Sequence, residues 1–183
     1  MSYQLDLFML IKAYCTPADD WFYILVVSGV LLSFPVLAHF KYRKRTIAYR
    51  VTVTLATYAI IFIVVLAFTI FDVGAGWLVK DNELIIDAPP VNVAIDIPKS
   101  NIALIEATDS WMPSLRVNGT GTPGASYGRF KLQNGKNAVV FRHLNNKQLV
   151  LVDYDGVYYI IIHPGVEKLY KELINIGANN LEL

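Results

Sequence analysis

"KQLVLVDYDGVYYIIIHPGVEKLYKELINIG", residues 147–177, contains two short apolar runs followed by one amphipathic segment. The Asp155-Gly156 pair between the runs is typical of a tight turn, so the runs are predicted to form a β-hairpin. Beyond His163-Pro164, apolar residues recur at helical spacing: Val166, Leu169, Tyr170, Leu173 and Ile174. We expect this helix to cap a sheet, with its apolar face packed on Ile160 and Ile162 of the preceding strand.

Upstream of this stretch, other short apolar runs alternate with turn signals. The run "VNVAIDI", residues 91–97, alternates with a period of two, and Pro89-Pro90 stands before it. Asn134-Gly135 and Asn145-Asn146 mark two further turns. About seven strands are therefore predicted before the helix, and the short turns favour antiparallel neighbours.

A glycine-rich segment, "RVNGTGTPGASYGRFKLQNGK", spans residues 116–136 and holds five of the eleven glycines. It lacks the pattern GxxxxGK[ST], and a strand follows it instead of a helix, so neither a phosphate-binding loop nor a dinucleotide site is indicated. We interpret residues 108–126 as a long loop that leads into a strand beginning at Tyr127.

These motifs carry a family resemblance. Residues 76–176 resemble a bacterial PH-like domain family that is usually attached to membrane spans, through "RVNGTGTPGASYGRFKLQNGKNAVVF" and "KQLVLVDYDGVYYIIIHPGVEKLYKEL". In that family a Ser-Pro or similar step precedes the helix, and here the step is His163-Pro164. The resemblance implies a PH-like seven-stranded antiparallel β barrel or sandwich capped by a C-terminal helix. It says little about the ligand, because such folds host many functions.

Two long apolar stretches precede the β region. Residues 21–40 and 51–71 contain no Asp, Glu, Lys or Arg, and a helix of about 20 such residues can cross a bilayer. The whole chain is 55% hydrophobic and 17% charged, against about 25% charged residues in an average globular protein. The sequence therefore predicts a membrane-anchored α+β protein with a transmembrane helical hairpin.

The connector between these stretches sets the predicted orientation. Residues 41–50 carry five basic side chains and no acidic one: Lys41, Arg43, Lys44, Arg45 and Arg50. Short loops rich in Lys and Arg stay in the cytoplasm, so both termini and the PH-like domain are predicted to be extracytoplasmic on a bacterial cytoplasmic membrane. An aromatic belt at the outer face would then contain Trp21, Phe22 and Tyr23 at the start of the first span and Phe71 and Trp77 at the end of the second. The basic connector could also recognise anionic lipids.

The predicted organisation has seven parts. An N-terminal extracytoplasmic segment (1–20) precedes the first span (21–40), the basic turn (41–50), the second span (51–71), a linker (72–76), the PH-like domain (77–177) and a C-terminal tail (178–183). The apolar residues 5–14 are too few to span a bilayer. They are predicted either to lie on the membrane surface as an interfacial helix or to pack against the spans.

The PH-like region separates its charges. From residue 116 to residue 147 there are six basic residues and no acidic one. The candidate anion-binding or ligand patch consists of Arg116, Arg129, Lys131 and Arg142. This hypothesis requires Arg116 to converge on Arg129 and Lys131. The alternative is a solvated sheet face.

Trp111 and Met112 fall in the predicted loop and are candidates for membrane or partner contact. The alternative is that Trp111 folds back over an open end of the barrel.

The sequence shows no pattern for catalysis, a cofactor or a metal. Cys15 is the single cysteine, and His143, His163 and Asp153 lack ligand spacing. The net charge of +1 gives no indication of nucleic-acid binding. We expect a non-catalytic, membrane-anchored binding module whose partners are the lipid bilayer and a protein partner or further copies of the chain. The alternative is a structural subunit of a membrane homo-oligomer or larger membrane complex.

Overall fold

The computed structural model describes residues 1–15, 21–107, 110–122 and 124–181. These residues form two compact units. Of the described residues, 21–71 belong to one unit. The other unit combines residues 1–15 with those from Asp72 onward.

The helical unit consists of α2, Trp21–Lys41, and α3, Ile47–Phe71. The two helices are antiparallel neighbours. The Tyr58 hydroxyl donates a hydrogen bond to the Leu31 carbonyl at 2.6 Å, and Arg50, earlier in α3, contacts His39, later in α2, at 2.9 Å. Helix α3 begins earlier than the predicted residue 51, since the Thr46 hydroxyl accepts a hydrogen bond from the Tyr49 amide and caps it.

One of these helices meets the length and composition of a membrane span. Among the described residues, α3 is the one helix that is long and apolar enough to cross a membrane. The predicted two-helix transmembrane hairpin stays a prediction.

The second unit is a β-sandwich with a C-terminal helix, which confirms the α+β class. Its smaller sheet is antiparallel, in the order β1-β2-β3-β4. These strands are β1, Ser2–Gln4; β2, Gly76–Lys80; β3, Glu83–Ala88; and β4, Val91–Asp96. A 3-10 turn, Ile97–Lys99, leads to the larger sheet.

The larger sheet has seven strands in the order β11-β5-β9-β10-β8-β7-β6. They are β5, Asn101–Glu106; β6, Pro113–Thr122; β7, Ala125–Leu132; β8, Asn137–His143; β9, Gln148–Tyr154; β10, Val157–Ile162; and β11, Asn179–Asn180. The described residues thus contain eleven strands, and the predicted seven-stranded antiparallel arrangement is wrong. The β8/β10 and β5/β11 pairs are parallel. The first pair is parallel because β10, and not β9, is the strand of the β9–β10 hairpin that lies beside β8.

The C-terminal helix α4, Val166–Ile176, caps the sandwich as predicted. Val166, Leu169 and Leu173 are buried in the main core with Ile161. Ile160 and Ile162 belong to a second cluster on the opposite face of the larger sheet, so the predicted packing of α4 on these two residues is wrong. Side chains alternate between faces along a strand, and the sheet is buried on both.

The N-terminal residues are part of this unit, which the sequence did not predict. Strand β1 pairs with β2, and the short helix α1, Leu7–Cys15, follows it. Leu5 and Leu10 lie fully buried in the main core. The Leu5 amide and carbonyl are both bonded to the backbone, at Ala75 and Gly74, each at 2.9 Å. The segment therefore completes the sandwich.

The glycine-rich segment forms the hairpin β6–β7, so the predicted loop 108–126 is wrong for residues 113–122, 125 and 126, which lie in strands. Gly119 lies opposite Gly128, and the φ angles are +141° and +132°. A Cβ on Gly119 would lie 2.1 Å from the Tyr127 carbonyl oxygen. Glycine is therefore needed here for the close approach of two strands, and not for a flexible loop.

Candidate functional site

A groove of about 470 Å³ opens on the larger sheet beside strands β6, β7, β8 and β10. We call it the Arg129 groove. It is lined by Val117, Arg129, Phe130, Asn137, Ala138, Val139, Gly156, Val157 and Tyr159. Most of these side chains are apolar, and Arg129 is the cation among them.

Strand register explains how these residues meet. Arg129 lies opposite Asn118 on one side and opposite Val139 on the other, and Val139 lies beside Tyr159. Residues in register project from the same face of a sheet. Arg129 therefore belongs to a row of residues that runs from Asn118 across Val139 to Tyr159.

Tyr159 forms the buried end of this row, and 7% of it is exposed. Burial raises the pKa of the Tyr159 phenol, and the Asp155 carboxylate raises it further. The Arg129 charge, which lowers this pKa, is the weaker influence. The phenol therefore stays protonated at neutral pH, and Arg129 is the charged group of the groove.

The register divides the four residues of the predicted patch into two pairs. Arg129 and Lys131 are two residues apart in β7 and are both exposed on one face. Arg116 lies opposite Phe130, and its guanidinium occupies the space beside Gly121.

Arg142 belongs with Arg116. Gly121, Ser126 and Arg142 lie side by side across three strands, so Arg142 projects from the same face as the Arg116 guanidinium. Burial lowers the pKa of Arg142, whose guanidinium donates a hydrogen bond to the Asn145 side chain. The structure thus places the two pairs on opposite faces and does not bring Arg116 to Arg129 and Lys131.

Comparison with known families agrees with this architecture. The family model for the bacterial PH domain matches residues 76–175, more than half of the chain. The chain belongs to the bacterial PH domain family. Comparison with curated proteins and with solved structures gave no match.

PH domains are binding and interaction modules and are generally non-catalytic. The match begins at residue 76. Strand β1 and helix α1 therefore pack into the same unit but lie outside the matched region. Within the described ranges, no group of three or more His, Cys, Asp or Glu side chains could hold a metal ion.

Trp111 and Met112 pack against the second cluster of the PH domain and are half-buried. The Trp111 ring meets the Tyr158 ring edge-on, with centroids 5.5 Å apart. The Lys136 ammonium lies 4.9 Å from the Trp111 centroid and 4.6 Å from the Tyr158 centroid. Trp111 thus folds back onto the outer face of the larger sheet, and not over an open end of a barrel. Residues 108, 109 and 123 of the predicted loop lie outside the described residues.

A buried polar cluster in the PH domain was not predicted. The Tyr3 hydroxyl lies 2.7 Å from His143 Nδ1, and the Tyr3 ring stacks on His163 with centroids 4.0 Å apart. Trp77 Nε1 donates a hydrogen bond to His163 Nε2 at 3.0 Å. Trp77 is therefore a core residue and not part of an aromatic belt.

The histidines of this cluster are held neutral. Burial lowers the pKa of both His143 and His163, and this effect outweighs the nearby Met9 and Pro164 carbonyls, which favour the charged rings. Burial also raises the pKa of Tyr3 to about 12. No local sequence pattern around the two histidines pointed to this cluster. Their partner Tyr3 lies 140 residues from His143.

Proposed function

We propose that this protein is a non-catalytic, membrane-anchored binding module whose PH domain holds an extended acidic segment of a protein partner in the Arg129 groove. The observation that carries the proposal is the arrangement of the groove, in which one exposed arginine borders a continuous apolar surface. A carboxylate of the partner would pair with Arg129, and apolar side chains of the partner would cover Val139 and Val157.

The neighbouring strand supports an extended partner. Strand β6 is the edge of the larger sheet, so backbone groups on its outer side are available for another strand. Leu115 and Val117 of this strand are 63% and 64% exposed. A segment added along β6 would place its side chains next to the groove, as in other cases of recognition by strand addition.

The chain connectivity supports membrane anchoring. Helix α3 has 25 residues, which at about 1.5 Å per residue exceeds the roughly 30 Å hydrocarbon core of a bilayer. The residues before α2 and those after α3 fold into one unit. The chain between them must therefore cross a membrane an even number of times. If α3 crosses, α2 must cross in the opposite direction.

The groove can be tested in the full chain within native membranes. A photo-crosslinking amino acid at Val157, which lies at the exposed rim, should capture the partner. Arg129→Glu should reduce this product by about tenfold, the loss expected for roughly 1.4 kcal/mol of binding energy. Lys131→Glu is the matched control, because it reverses a neighbouring charge on the same face outside the groove lining. Equal products from the two variants would contradict the proposal.

A second candidate is a homo-oligomer formed through the β6 edge. The exposed Leu115 and Val117 favour it, because two copies of one edge strand can pair around a two-fold axis. The same experiment separates the candidates. A crosslinked product of twice the chain mass that is lost in Leu115→Lys, but kept in Arg129→Glu, would identify the oligomer.

A further inference from the structure

A second cavity, of about 460 Å³, lies between α2 and α3 near the basic connector. Its walls include Pro35, Ile47, Val51 and Leu55, and its polar groups include His39 and Arg50. The cavity therefore combines a cationic end with an apolar wall inside the helical unit.

Arg50 is the unusual residue in this cavity. Its Nη1 donates a hydrogen bond to His39 Nδ1 at 2.9 Å. Its Nε is buried and has no hydrogen-bond acceptor within the part of the chain that the structure describes. Residues 21–71 contain no Asp or Glu, so α2, α3 and the connector between them offer no carboxylate to balance this charge. A partly buried cation of this kind is stabilised by an anion that comes from outside the chain.

His39 supplies a second donor. Because Nδ1 accepts the hydrogen bond from Arg50, the hydrogen of the neutral ring is on Nε2. The guanidinium of Arg50 and the Nε2–H group of His39 together suit a group with several acceptor oxygens. Phosphate is the group that arginine binds in this way, through more than one oxygen.

We propose that this cavity binds the phosphate of an anionic membrane lipid, with Arg50 and His39 on the headgroup and an acyl chain along Val51 and Leu55. The apolar wall distinguishes a lipid from a free phosphate, which would have no use for it. The exposed basic residues of the connector would attract anionic lipids in general, whereas Arg50 would select the bound molecule. This inference rests on the membrane insertion proposed above.

The test uses the full chain purified in detergent and measures bound lipid by native mass spectrometry. The probes are dioleoylphosphatidylglycerol and dioleoylphosphatidylcholine, which have the same acyl chains and differ in headgroup charge. The wild type should bind the anionic lipid about tenfold more tightly than the zwitterionic lipid, a difference of roughly 1.4 kcal/mol. Arg50→Gln should abolish this preference. Arg43→Gln removes an equal charge from the exposed connector and should retain it.

Other outcomes would overturn the inference. Equal losses in Arg50→Gln and Arg43→Gln would show diffuse attraction, and displacement of the lipid by equimolar sodium phosphate would show a free-anion site. If Arg50→Gln loses its helical circular dichroism in detergent, His39→Phe replaces it. That variant removes the Nε2–H donor and should weaken binding of the anionic lipid alone, and unchanged binding would count against the site.

Failure of this inference is distinguishable from failure of the proposed function. If alkaline carbonate releases the chain from membranes, membrane anchoring and the lipid site are both wrong. If the chain resists carbonate and shows no lipid preference, the lipid site alone is wrong. Crosslinking at Val157 reports on the Arg129 groove in either case.

Discussion

Four side chains from distant parts of the sequence meet in the PH domain core: Tyr3, Trp77, His143 and His163. Each histidine is held as a neutral ring, His143 beside the Tyr3 hydroxyl and His163 as the acceptor of the Trp77 hydrogen bond. Protonation of His163 Nε2 would remove the acceptor that Trp77 requires. These residues therefore link the stability of the PH domain to pH.

We expect the PH domain to lose stability as the pH falls below about 6.5, the ordinary pKa of histidine. The folded-state pKa values of His143 and His163 are lowered by burial, so the unfolded chain binds more protons in the window between the two values. Stability is then complete above the unfolded-state pKa and is lost as the pH falls toward the folded-state pKa. Thermal unfolding of the full chain in detergent at several pH values measures this loss.

Histidine substitutions test whether His143 and His163 cause this pH dependence. His163→Gln should unfold at a lower temperature at neutral pH and show a smaller further loss in acid, whereas His39→Gln should keep the wild-type pH profile. An unchanged profile in a chain that carries both His143→Gln and His163→Gln would refute the assignment.

The elements differ in how far the sequence predicted them. Helix α4 was predicted because Leu169 and Leu173 lie in one continuous amphipathic segment, so local periodicity was sufficient. The strand beside β8 was not predicted. Turn residues indicate that β9 and β10 form a hairpin, but they do not indicate which of the two strands pairs with β8. Strand β6 was missed because Gly119 and Gly121 suggest a loop unless the close approach to β7 is known.

The place of the N-terminal residues in the PH domain core was missed for another reason. Strand β1 has three residues and α1 has nine, which is too short for a periodic pattern. Their partner β2 follows more than fifty residues later, beyond α2 and α3. The Arg129 groove was not predicted for a similar reason. Arg129 meets Val139 and Tyr159 through the register of three strands, and the sequence of one strand does not determine that register. Charge segregation alone pointed to Arg129.

Replacing Leu10 with Ala should lower the free energy of unfolding of the PH domain by about 2–5 kcal/mol, the usual cost of truncating a buried leucine. Leu10 is 0% exposed and lies in the main core. Phe8→Ala is the control in the same helix, because Phe8 is 73% exposed, and it should change the free energy by about 0.5 kcal/mol or less. Denaturant titration followed by near-UV circular dichroism measures both. Equal effects would mean that α1 does not contribute to the core.

At the scale of the whole molecule, the helical unit is an insertion within the PH domain unit. Sequence patterns predicted the helices and the sandwich separately. They did not predict that residues on both sides of the helices share one core, because that relation depends on the pairing of β1 with β2. Because the residues on both sides of the helices share one core, the membrane topology can be tested at two sites, one in the PH domain and one in the basic connector.

Single-cysteine labelling in intact cells tests the topology. In a Cys15→Ser background, Gly135→Cys places a thiol in an exposed turn of the PH domain, and Lys44→Cys places one in the basic connector. A membrane-impermeant maleimide should label Gly135→Cys in intact cells and should label Lys44→Cys after the cells are opened, because short basic loops stay in the cytoplasm. The reverse pattern would invert the orientation, and labelling of both in intact cells would exclude the two-span hairpin.

The pairing of β1 with β2 also sets an order of events during synthesis. The ribosome makes β1 first, but its partner appears only after both helices have emerged, which takes several seconds at about 5–20 residues per second. Until then the apolar residues Leu5 and Leu10 have no core to enter. A chain whose helices inserted with a single crossing would hold β1 and β2 on opposite sides of the membrane, and its PH domain could not close. If the helices insert as proposed, completion of the domain would therefore report correct insertion.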